Sequence, residues 1–312
     1  MTDACIAVIL PCYNEAAAIA KTVHDFRSAL PQAQVYVYDN NSSDDTAAMA
    51  REAGAIVRTE HRQGKGNVMR RMFADVEADI YVLADGDDTY DAAAAPQLIR
   101  RLVDDGLDIV TGRRVHTEAA AYRAGHLWGN RMLTGLTAMM FGVKLGDMLS
   151  GYRVMSRRFV KSFPFTAEGF GIETELTVHA VRLMMPMAEV DTQYKERPPG
   201  SISKLSTYRD GFKILFTIAH LMREERPLLF FSAIGLLLAL ASVALGTSIV
   251  LEFLRTGLVP RLPTALLATG LMVIAFLSLM SGLILDTVTR GRWATKRLAY
   301  LSIRGPKDLR LP

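Results

Sequence analysis

The sequence predicts an α/β fold, a mostly parallel β-sheet with helices on both faces, followed by a hairpin of two transmembrane helices. Two patterns support this prediction. Over about the first 200 of the 312 residues, short apolar segments alternate with longer segments of helical spacing, and this alternation is typical of parallel sheets. Near the C-terminal end, two runs of 24 residues contain no charged residue, which is enough for a membrane-spanning helix.

The first part of the chain provides the strands and helices of the predicted sheet. Strands are predicted at residues 5–10, 35–39, 55–59, 80–84 and 108–111. Helices are predicted at residues 14–30, 46–53 and 65–76. Because parallel strands joined by helices end at the same edge of the sheet, ligands in such folds bind at that edge.

The two uncharged runs are Leu228–Leu251 and Leu262–Leu285. As helices they would each be about 36 Å long, enough to cross a hydrocarbon core of roughly 30 Å. The only basic residues in the loop between them are Arg255 and Arg261, whereas both outer flanks contain more Lys and Arg. The positive-inside rule therefore predicts a multi-pass membrane protein with both flanks, and the α/β domain, in the cytoplasm.

These patterns predict four parts in the chain. They are an α/β domain at 1–205, a juxtamembrane amphipathic helix at 206–227, two transmembrane helices at 228–285 and a basic cytoplasmic tail at 286–312. The only cysteines, Cys5 and Cys12, flank one apolar run, so a disulfide framework is not expected. The net charge of +4 is too small to indicate binding to nucleic acid.

Polar clusters follow three of the predicted strands, at residues 11–15, 39–46 and 85–88. In the third cluster, Asp85 and Asp87 flank Gly86, which permits a tight backbone. Two carboxylates so placed can approach one hard cation, and Mg²⁺ or Mn²⁺ accepts such ligands together with water and substrate phosphates. Asp88 and Asp91 are expected to begin the next helix, where carboxylates favour the positive end of the dipole.

Basic residues farther along the chain indicate a second, anionic substrate. Those that could face a phosphate are Arg113, Arg114, Arg123, Arg131, Arg197 and Lys204. Each of them alone is most simply explained as an exposed surface cation. As a set that accompanies an acidic metal site, they favour phosphate binding.

In these clusters the chain resembles the family 2 glycosyltransferases, and within them the dolichyl-phosphate-mannose synthase-like and bactoprenol glucosyltransferase-like enzymes, which load a sugar onto a polyprenyl phosphate. The segment VYDNNSSDDT is similar to the family pattern V-D-D-G-S-x-D-x-T, with Asn40 and Asn41 in place of the second Asp and the Gly. Similar segments, in family order across most of residues 5–216, are ILPCYNE, RQGKGNVMRRMF, DMLSGYRVMSRRF and RPPGSISKLSTYRDGFKIL.

The resemblance implies a GT-A fold and roles for individual residues. The nucleotide would be held by Pro11, Tyr13, Glu15, Asp39 and Lys65. The divalent ion, Mg²⁺ or Mn²⁺, would be held by Asp85 and Asp87. Arg113 resembles the ligand of the acceptor phosphate, Arg123 or Arg131 would be the second, and Arg197 and Lys204 resemble further contacts. The catalytic set implied in this way is Asp85, Asp87, Arg113 and Arg131.

The reaction implied by the resemblance is transfer of a hexose or hexosamine from a nucleotide sugar to polyprenyl phosphate, with inversion, for a cell-envelope glycan. A UDP-sugar is favoured over a GDP-sugar. The attacking phosphate oxygen is already an anion at neutral pH, so a strong general base is unnecessary. The expected partners are the nucleotide sugar, polyprenyl phosphate and membrane lipid. Binding to nucleic acid is not expected. A homo-oligomer is possible on the sequence alone.

Three other classes of protein remain alternatives at the level of the sequence. A sugar nucleotidyltransferase also uses a sheet and paired aspartates, but it does not need the SGYR and RPPGSISKL segments. A processive polysaccharide synthase carries a Q-x-x-R-W signature that TRGRW at 289–293 matches only without the Gln. A non-enzymatic membrane scaffold leaves the three polar clusters unexplained.

Overall fold

The computed structural model describes residues 4–116, 135, 146–164, 171–195, 219–220, 222–306, 309 and 311. The chain divides into two compact units. The first comprises residues 1–211 and 296–312, and the second comprises residues 212–295.

The first unit is built on one seven-stranded sheet in the part of the chain that the structure describes. Its strands are β1 (Ile6–Cys12), β2 (Gln34–Asp39), β3 (Ile56–Thr59), β4 (Ile80–Leu83), β5 (Ile109–His116), β6 (Arg153–Ser156) and β7 (Met187–Tyr194). Its helices are α1 (Ala16–Ala29), α2 (Thr46–Glu52), α3 (Lys65–Asp75), α4 (Ala95–Asp104), α5 (Arg157–Ser162) and α6 (Ile172–Arg182).

The strand order is β3-β2-β1-β4-β6-β5-β7. Strands β3, β2, β1 and β4 run parallel, as do β5 and β7, and only β6 is antiparallel to its neighbours β4 and β5. The prediction of a mostly parallel sheet is therefore confirmed. Four predicted strands match within one or two residues, and the strand predicted at 108–111 extends to His116.

The core lies on both faces of the central strands, which explains why β1 and β4 are continuous apolar runs. Val8 and Leu10 of β1 belong to the same cluster as the apolar residues of α1 and α4. Ile9 is also fully buried, although it lies outside that cluster. Helices α3 and α5 pack against each other, α3 against β1 and α5 against β4. The sheet is thus covered by helices on both sides.

The second unit contains two long apolar helices, α7 (Pro227–Thr256) and α8 (Leu262–Leu301). Gly235 lies so close to α8 that an added Cβ would be 2.9 Å from the carbonyl oxygen of Ala275. The Ser242 hydroxyl donates a hydrogen bond to the carbonyl of Ala268 at 2.7 Å. Small residues and interhelical hydrogen bonds of this kind are typical of membrane helix pairs.

Both helices are long and apolar enough to cross a membrane. Their outer surfaces carry many exposed large apolar side chains, among them Leu240, Leu254, Leu266 and Phe276. Helix α8 continues to Leu301, so the basic tail predicted at 286–312 begins inside a helix. The amphipathic segment predicted at 206–227 lies mostly outside the described residues.

Candidate active site

The three polar clusters meet at one edge of the sheet, as the sequence predicts. They follow β1, β2 and β4, which are adjacent and parallel. The amide of Asn40 donates to the carbonyl of Cys12 at 2.9 Å, and the amide of Glu15 donates to the Thr46 hydroxyl at 2.9 Å. The ends of β1 and β2 are therefore joined into one polar surface.

Four of the five residues expected to hold the nucleotide lie on this surface, and the fifth, Lys65, lies next to Asp85. Pro11 is near the end of β1, Tyr13 is partly exposed beyond it, and the side chains of Glu15 and Asp39 are buried. Asp39 Oδ2 accepts a hydrogen bond from the amide of Ser42 at 3.3 Å. Its other oxygen, Oδ1, is buried without a hydrogen-bond partner among the described residues. Such an oxygen is costly to leave unpaired, so a hydroxyl or N–H of a ligand fits this position.

Asn40 and Asn41, which differ from the family pattern, both have structural roles in the turn after β2. The Asn40 amide nitrogen donates to the carbonyls of Glu60 and Arg62, and its oxygen accepts from the amide of Gly64 at 2.7 Å. Asn41 has a φ of 59°, which asparagine tolerates better than most residues. Asn40 therefore fixes the loop before α3, and Asn41 takes the place of a glycine in the turn.

The predicted metal ligands stand beside this surface, directly after β4. Asp87 is almost fully buried, and its Oδ1 accepts hydrogen bonds from the hydroxyl (2.6 Å) and amide (3.3 Å) of Thr89. Asp85 is more accessible. A Cβ on Gly86 would collide with the sulfur of Cys12, so close approach to β1, rather than a positive φ, requires this glycine.

The raised pKa of the Cys12 thiol shows that several acidic groups lie close together. Burial raises its pKa well above the ordinary value, and the nearby carboxylates of Glu15, Asp85, Asp39 and Asp87 raise it further. These four carboxylates come from all three polar clusters. The site is thus strongly negative, which is the environment that a cation neutralises.

A cation already lies next to Asp85, because the Lys65 ammonium is 2.6 Å from Asp85 Oδ1 and 2.7 Å from Glu173 Oε1. Burial opposes the charge on Lys65, but the two carboxylates outweigh it and hold the pKa of the ammonium well above its usual value. The structure therefore places Lys65 at the acidic pair. The sequence did not indicate Glu173, because a carboxylate in the first turn of a helix is ordinary.

The remaining aspartates of the acidic run serve the local structure. Asp91 accepts a hydrogen bond from the amide of Ala93 at the start of a 3₁₀ turn that leads into α4, which confirms the expected role. Asp88 does not begin a helix. It has a φ of 58° and forms an ion pair with Lys21 at 2.9 Å.

The arginines of β5 are each paired with a carboxylate. Arg113 is exposed and forms a two-point ion pair with Asp191 of β7, with Nη2 at 2.8 Å from Oδ2. Arg114 is more buried and forms a similar pair with Asp147 at 2.7 and 2.8 Å. The other residues expected to bind the acceptor, Arg123, Arg131, Arg197 and Lys204, lie outside the described residues.

The segment SGYR lies next to Asp85, a position that the sequence did not indicate. Arg153 is completely buried and donates to the carbonyls of Met148, Ser150 and Glu173 at 2.7, 3.0 and 2.9 Å. Burial lowers the pKa of Arg153 to about 10, so the guanidinium stays charged at neutral pH. It ties the loop around Gly151 to the start of α6.

Replacing Gly151 by alanine is expected to impair the site without unfolding the protein. The new Cβ would be 2.8 Å from Asp85 Oδ2 and 3.2 Å from the Tyr90 hydroxyl, so Asp85 has to move. Small displacements of reacting groups can lower rates by up to about 100-fold, and we expect a loss of roughly 10- to 100-fold in turnover. Steady-state kinetics alongside a thermal melt test this, and an unaltered turnover would contradict it.

Comparison with known proteins assigns the family. Residues 7–163 match the model of Glycosyl transferase family 2. Glycosyltransferase AglJ of Haloferax volcanii is 33% identical over 80% of this chain and 81% of its own length. A dolichyl-phosphate hexose transferase of the same organism is 29% identical over 71% of this chain and 95% of its own length.

The fold has relatives among solved structures as well. Glucosyl-3-phosphoglycerate synthase from Mycobacterium tuberculosis, in complex with Mn²⁺ and UDP-glucose, superposes with a TM-score of 0.54 at 26% sequence identity. The match covers 70% of this chain and 78% of that one. The acidic edge of the sheet and these similarities agree, and the chain belongs to glycosyl transferase family 2 and is a glycosyltransferase.

Proposed function

We propose that this glycosyltransferase moves a hexose or hexosamine from a nucleotide sugar, preferably a UDP-sugar, to polyprenyl phosphate at the cytoplasmic face of a membrane. The observation that carries the proposal is the pair Asp85 and Asp87 at the sheet edge, in a chain that also has two helices apolar enough to cross a membrane. The first feature suits a sugar diphosphate, and the second suits an acceptor anchored in lipid.

The donor side of the proposal rests on the surface formed by the ends of β1 and β2. Asp39 Oδ1, which has no hydrogen-bond partner among the described residues, suits a hydroxyl or N–H group of the nucleotide. Tyr13 is partly exposed, as a residue that contacts a ligand has to be. The related synthase that binds Mn²⁺ and UDP-glucose has the same fold, which supports a uridine nucleotide together with a divalent ion.

The acidic pair fits a divalent ion. Asp85 already accepts a cation, the Lys65 ammonium, and Asp87 is held in place by Thr89. We expect both carboxylates to hold Mg²⁺ or Mn²⁺, the hard ions that oxygen ligands favour. Such an ion, when bound, stabilises the negative charge that develops on the departing diphosphate.

The acceptor side of the proposal rests on Arg113. Its guanidinium forms a two-point pair with the Asp191 carboxylate, and the same geometry suits a phosphate. Because both partners are exposed, the pair is weak enough for a phosphate to replace Asp191. Arg113 would orient the acceptor oxygen toward the anomeric carbon, and attack opposite the leaving group would invert that carbon.

The proposal is tested with the purified full chain in lipid vesicles that contain polyprenyl phosphate. We expect one nucleotide sugar from a panel of UDP- and GDP-sugars to yield glycosylated lipid and one nucleoside diphosphate per transfer. Release of pyrophosphate would instead identify a nucleotidyltransferase, and growth of a polymer would identify a processive synthase. Transfer only to a soluble phosphorylated acceptor would contradict the lipid part of the proposal.

Replacing Arg113 by alanine is expected to weaken the use of the acceptor. Removing one charged donor should lower kcat/KM for polyprenyl phosphate by roughly 10- to 100-fold, with the affinity for the nucleoside diphosphate unchanged. The matched control is Asp191→Asn, which frees Arg113 and should preserve or improve acceptor use. Equal losses in both variants would show that the ion pair matters for structure and that Arg113 is not an acceptor ligand.

A further inference from the structure

We infer that the Lys65 ammonium fills the cation position beside Asp85 when no ligand is bound, with Glu173 as its second carboxylate. A divalent ion then binds tightly beside Asp85 only when the Lys65 ammonium leaves Asp85 and pairs with the diphosphate of the donor. This inference rests on the proposed function, because it assumes that the donor carries a diphosphate and that the acidic pair holds the ion.

The backbone at Lys65 is fixed independently of any ligand. Lys65 is the first residue of α3, and the preceding Gly64 has a φ of 124°, which favours glycine. The amide of Gly64 donates to the Asn40 side chain, which also holds the carbonyls of Glu60 and Arg62. Since the end of β2 anchors this loop, Lys65 changes partners by rotating its flexible side chain while α3 stays in place.

The position of Glu173 is fixed in the same manner. It lies in the first turn of α6, and the buried Arg153 holds its backbone carbonyl at 2.9 Å. Its carboxylate is 2.7 Å from the Lys65 ammonium, so the ammonium bridges two carboxylates from distant parts of the chain. Glu173 therefore acts through Lys65, as a positioning residue.

Charge explains why the ion and the diphosphate should bind together. A divalent ion that approaches Asp85 while Lys65 remains there meets a like charge at short range, which opposes binding. If Lys65 leaves without a new partner, two ion pairs are lost. A diphosphate offers several anionic oxygens, so that both the ammonium and the metal gain partners at once. Binding of the ion and binding of the diphosphate are therefore coupled, and the coupling is reciprocal.

The inference is tested by titrating the full chain with Mn²⁺ and following the free ion by electron paramagnetic resonance, with and without UDP. For the unmodified chain we expect UDP to tighten Mn²⁺ binding by about tenfold or more, within the usual range of coupling between two sites. Lys65→Met should bind Mn²⁺ about tenfold more tightly without UDP. UDP should then tighten binding less than in the unmodified chain, because the diphosphate still ligates the ion but no longer has to draw Lys65 away.

A second variant tests the role of Glu173 and keeps the inference falsifiable if Lys65→Met does not fold. Glu173→Gln leaves Lys65 with Asp85 alone, so Mn²⁺ binding without UDP should become severalfold tighter. If Glu173 were itself a metal ligand, the same variant would bind Mn²⁺ more weakly. The matched control is Lys21→Met, because Lys21 pairs with Asp88 and Asp25 of the same region and should not affect Mn²⁺.

Unchanged or weaker Mn²⁺ binding by Lys65→Met in the absence of UDP would overturn the inference, as would weaker binding by Glu173→Gln. These readouts do not depend on sugar transfer. Failure of the unmodified chain to glycosylate any polyprenyl phosphate would refute the proposed function while the Mn²⁺ titrations still decided whether Lys65 competes with the ion.

Discussion

Asp87→Ala is expected to reduce sugar transfer by roughly 10²- to 10³-fold or more, the loss that follows removal of one preorganised electrostatic group from an active site. Asp87 is 2% exposed and is oriented by the hydroxyl and amide of Thr89. Without this carboxylate, the divalent ion proposed for this site would lose a ligand, and the departing diphosphate would lose the stabilisation that the ion would supply. The protein should still insert into membranes, because the apolar helices α7 and α8 are unchanged.

Two further variants separate charge from structure. Asp87→Asn retains an oxygen that can accept from Thr89 but loses the charge, so its activity should fall nearly as far as that of the alanine variant. Asp88→Asn is the control, because Asp88 pairs with Lys21 and asparagine tolerates its φ of 58°. The Asp88 side chain is mostly buried, but the amide oxygen of asparagine can still accept a hydrogen bond from Lys21, so the variant should retain activity within about twofold. Undiminished transfer to polyprenyl phosphate by Asp87→Ala would refute the metal assignment.

The acidic edge was predictable because it depends on local signals and one rule of topology. Apolar runs identify β1, β2 and β4, and parallel strands joined by helices must end at the same edge. The residues that follow them, including Asp39, Asp85 and Asp87, therefore had to converge. The resemblance to family 2 glycosyltransferases added roles for these residues, and the family match confirms the class of enzyme.

The second half of the sheet was not predictable in the same way. Strand β6 has only four residues, runs antiparallel and begins at Arg153, which is completely buried. A charged residue is rarely buried unless it is paired, so sequence patterns place it on the surface. The three carbonyls that it binds come together only in the folded chain. The same holds for Glu173, whose partner Lys65 is 108 residues away in sequence.

The C-terminal segment of the first unit forms a contact with Asp108 that the sequence did not indicate. Asp108, just before β5, is completely buried and accepts hydrogen bonds from the Ser156 hydroxyl at 2.7 Å and from Arg158 Nη2 at 2.8 Å. The Tyr300 hydroxyl, in the last turn of α8, donates to the same carboxylate at 2.8 Å. The basic composition of residues 286–312 predicts a tail, whereas Tyr300 is buried within the first unit.

Asp108→Ala is therefore expected to destabilise the first unit by about 3–5 kcal/mol, the usual result of leaving one partner of a buried ion pair alone. The variant leaves the largely buried guanidinium of Arg158 without its carboxylate. Tyr300→Phe removes a single hydrogen bond to a charged group and should reduce stability by about 1.5–3 kcal/mol. Chemical unfolding of the full chain in detergent, followed by hydrogen exchange in β5 and β6, measures both effects.

Asp105→Ala is the matched control, because Asp105 lies three residues away and forms an ion pair with Arg101 at the protein surface. Exposed pairs of this kind contribute about 0.3–0.5 kcal/mol, so the control should unfold almost as the unmodified chain does. If Asp108→Ala behaved like the control, the cluster would contribute nothing to stability. If only Tyr300→Phe were neutral, the Asp108 carboxylate would stabilise the first unit through Arg158 and Ser156 alone. The last turn of α8 would then not contribute to the stability of the first unit.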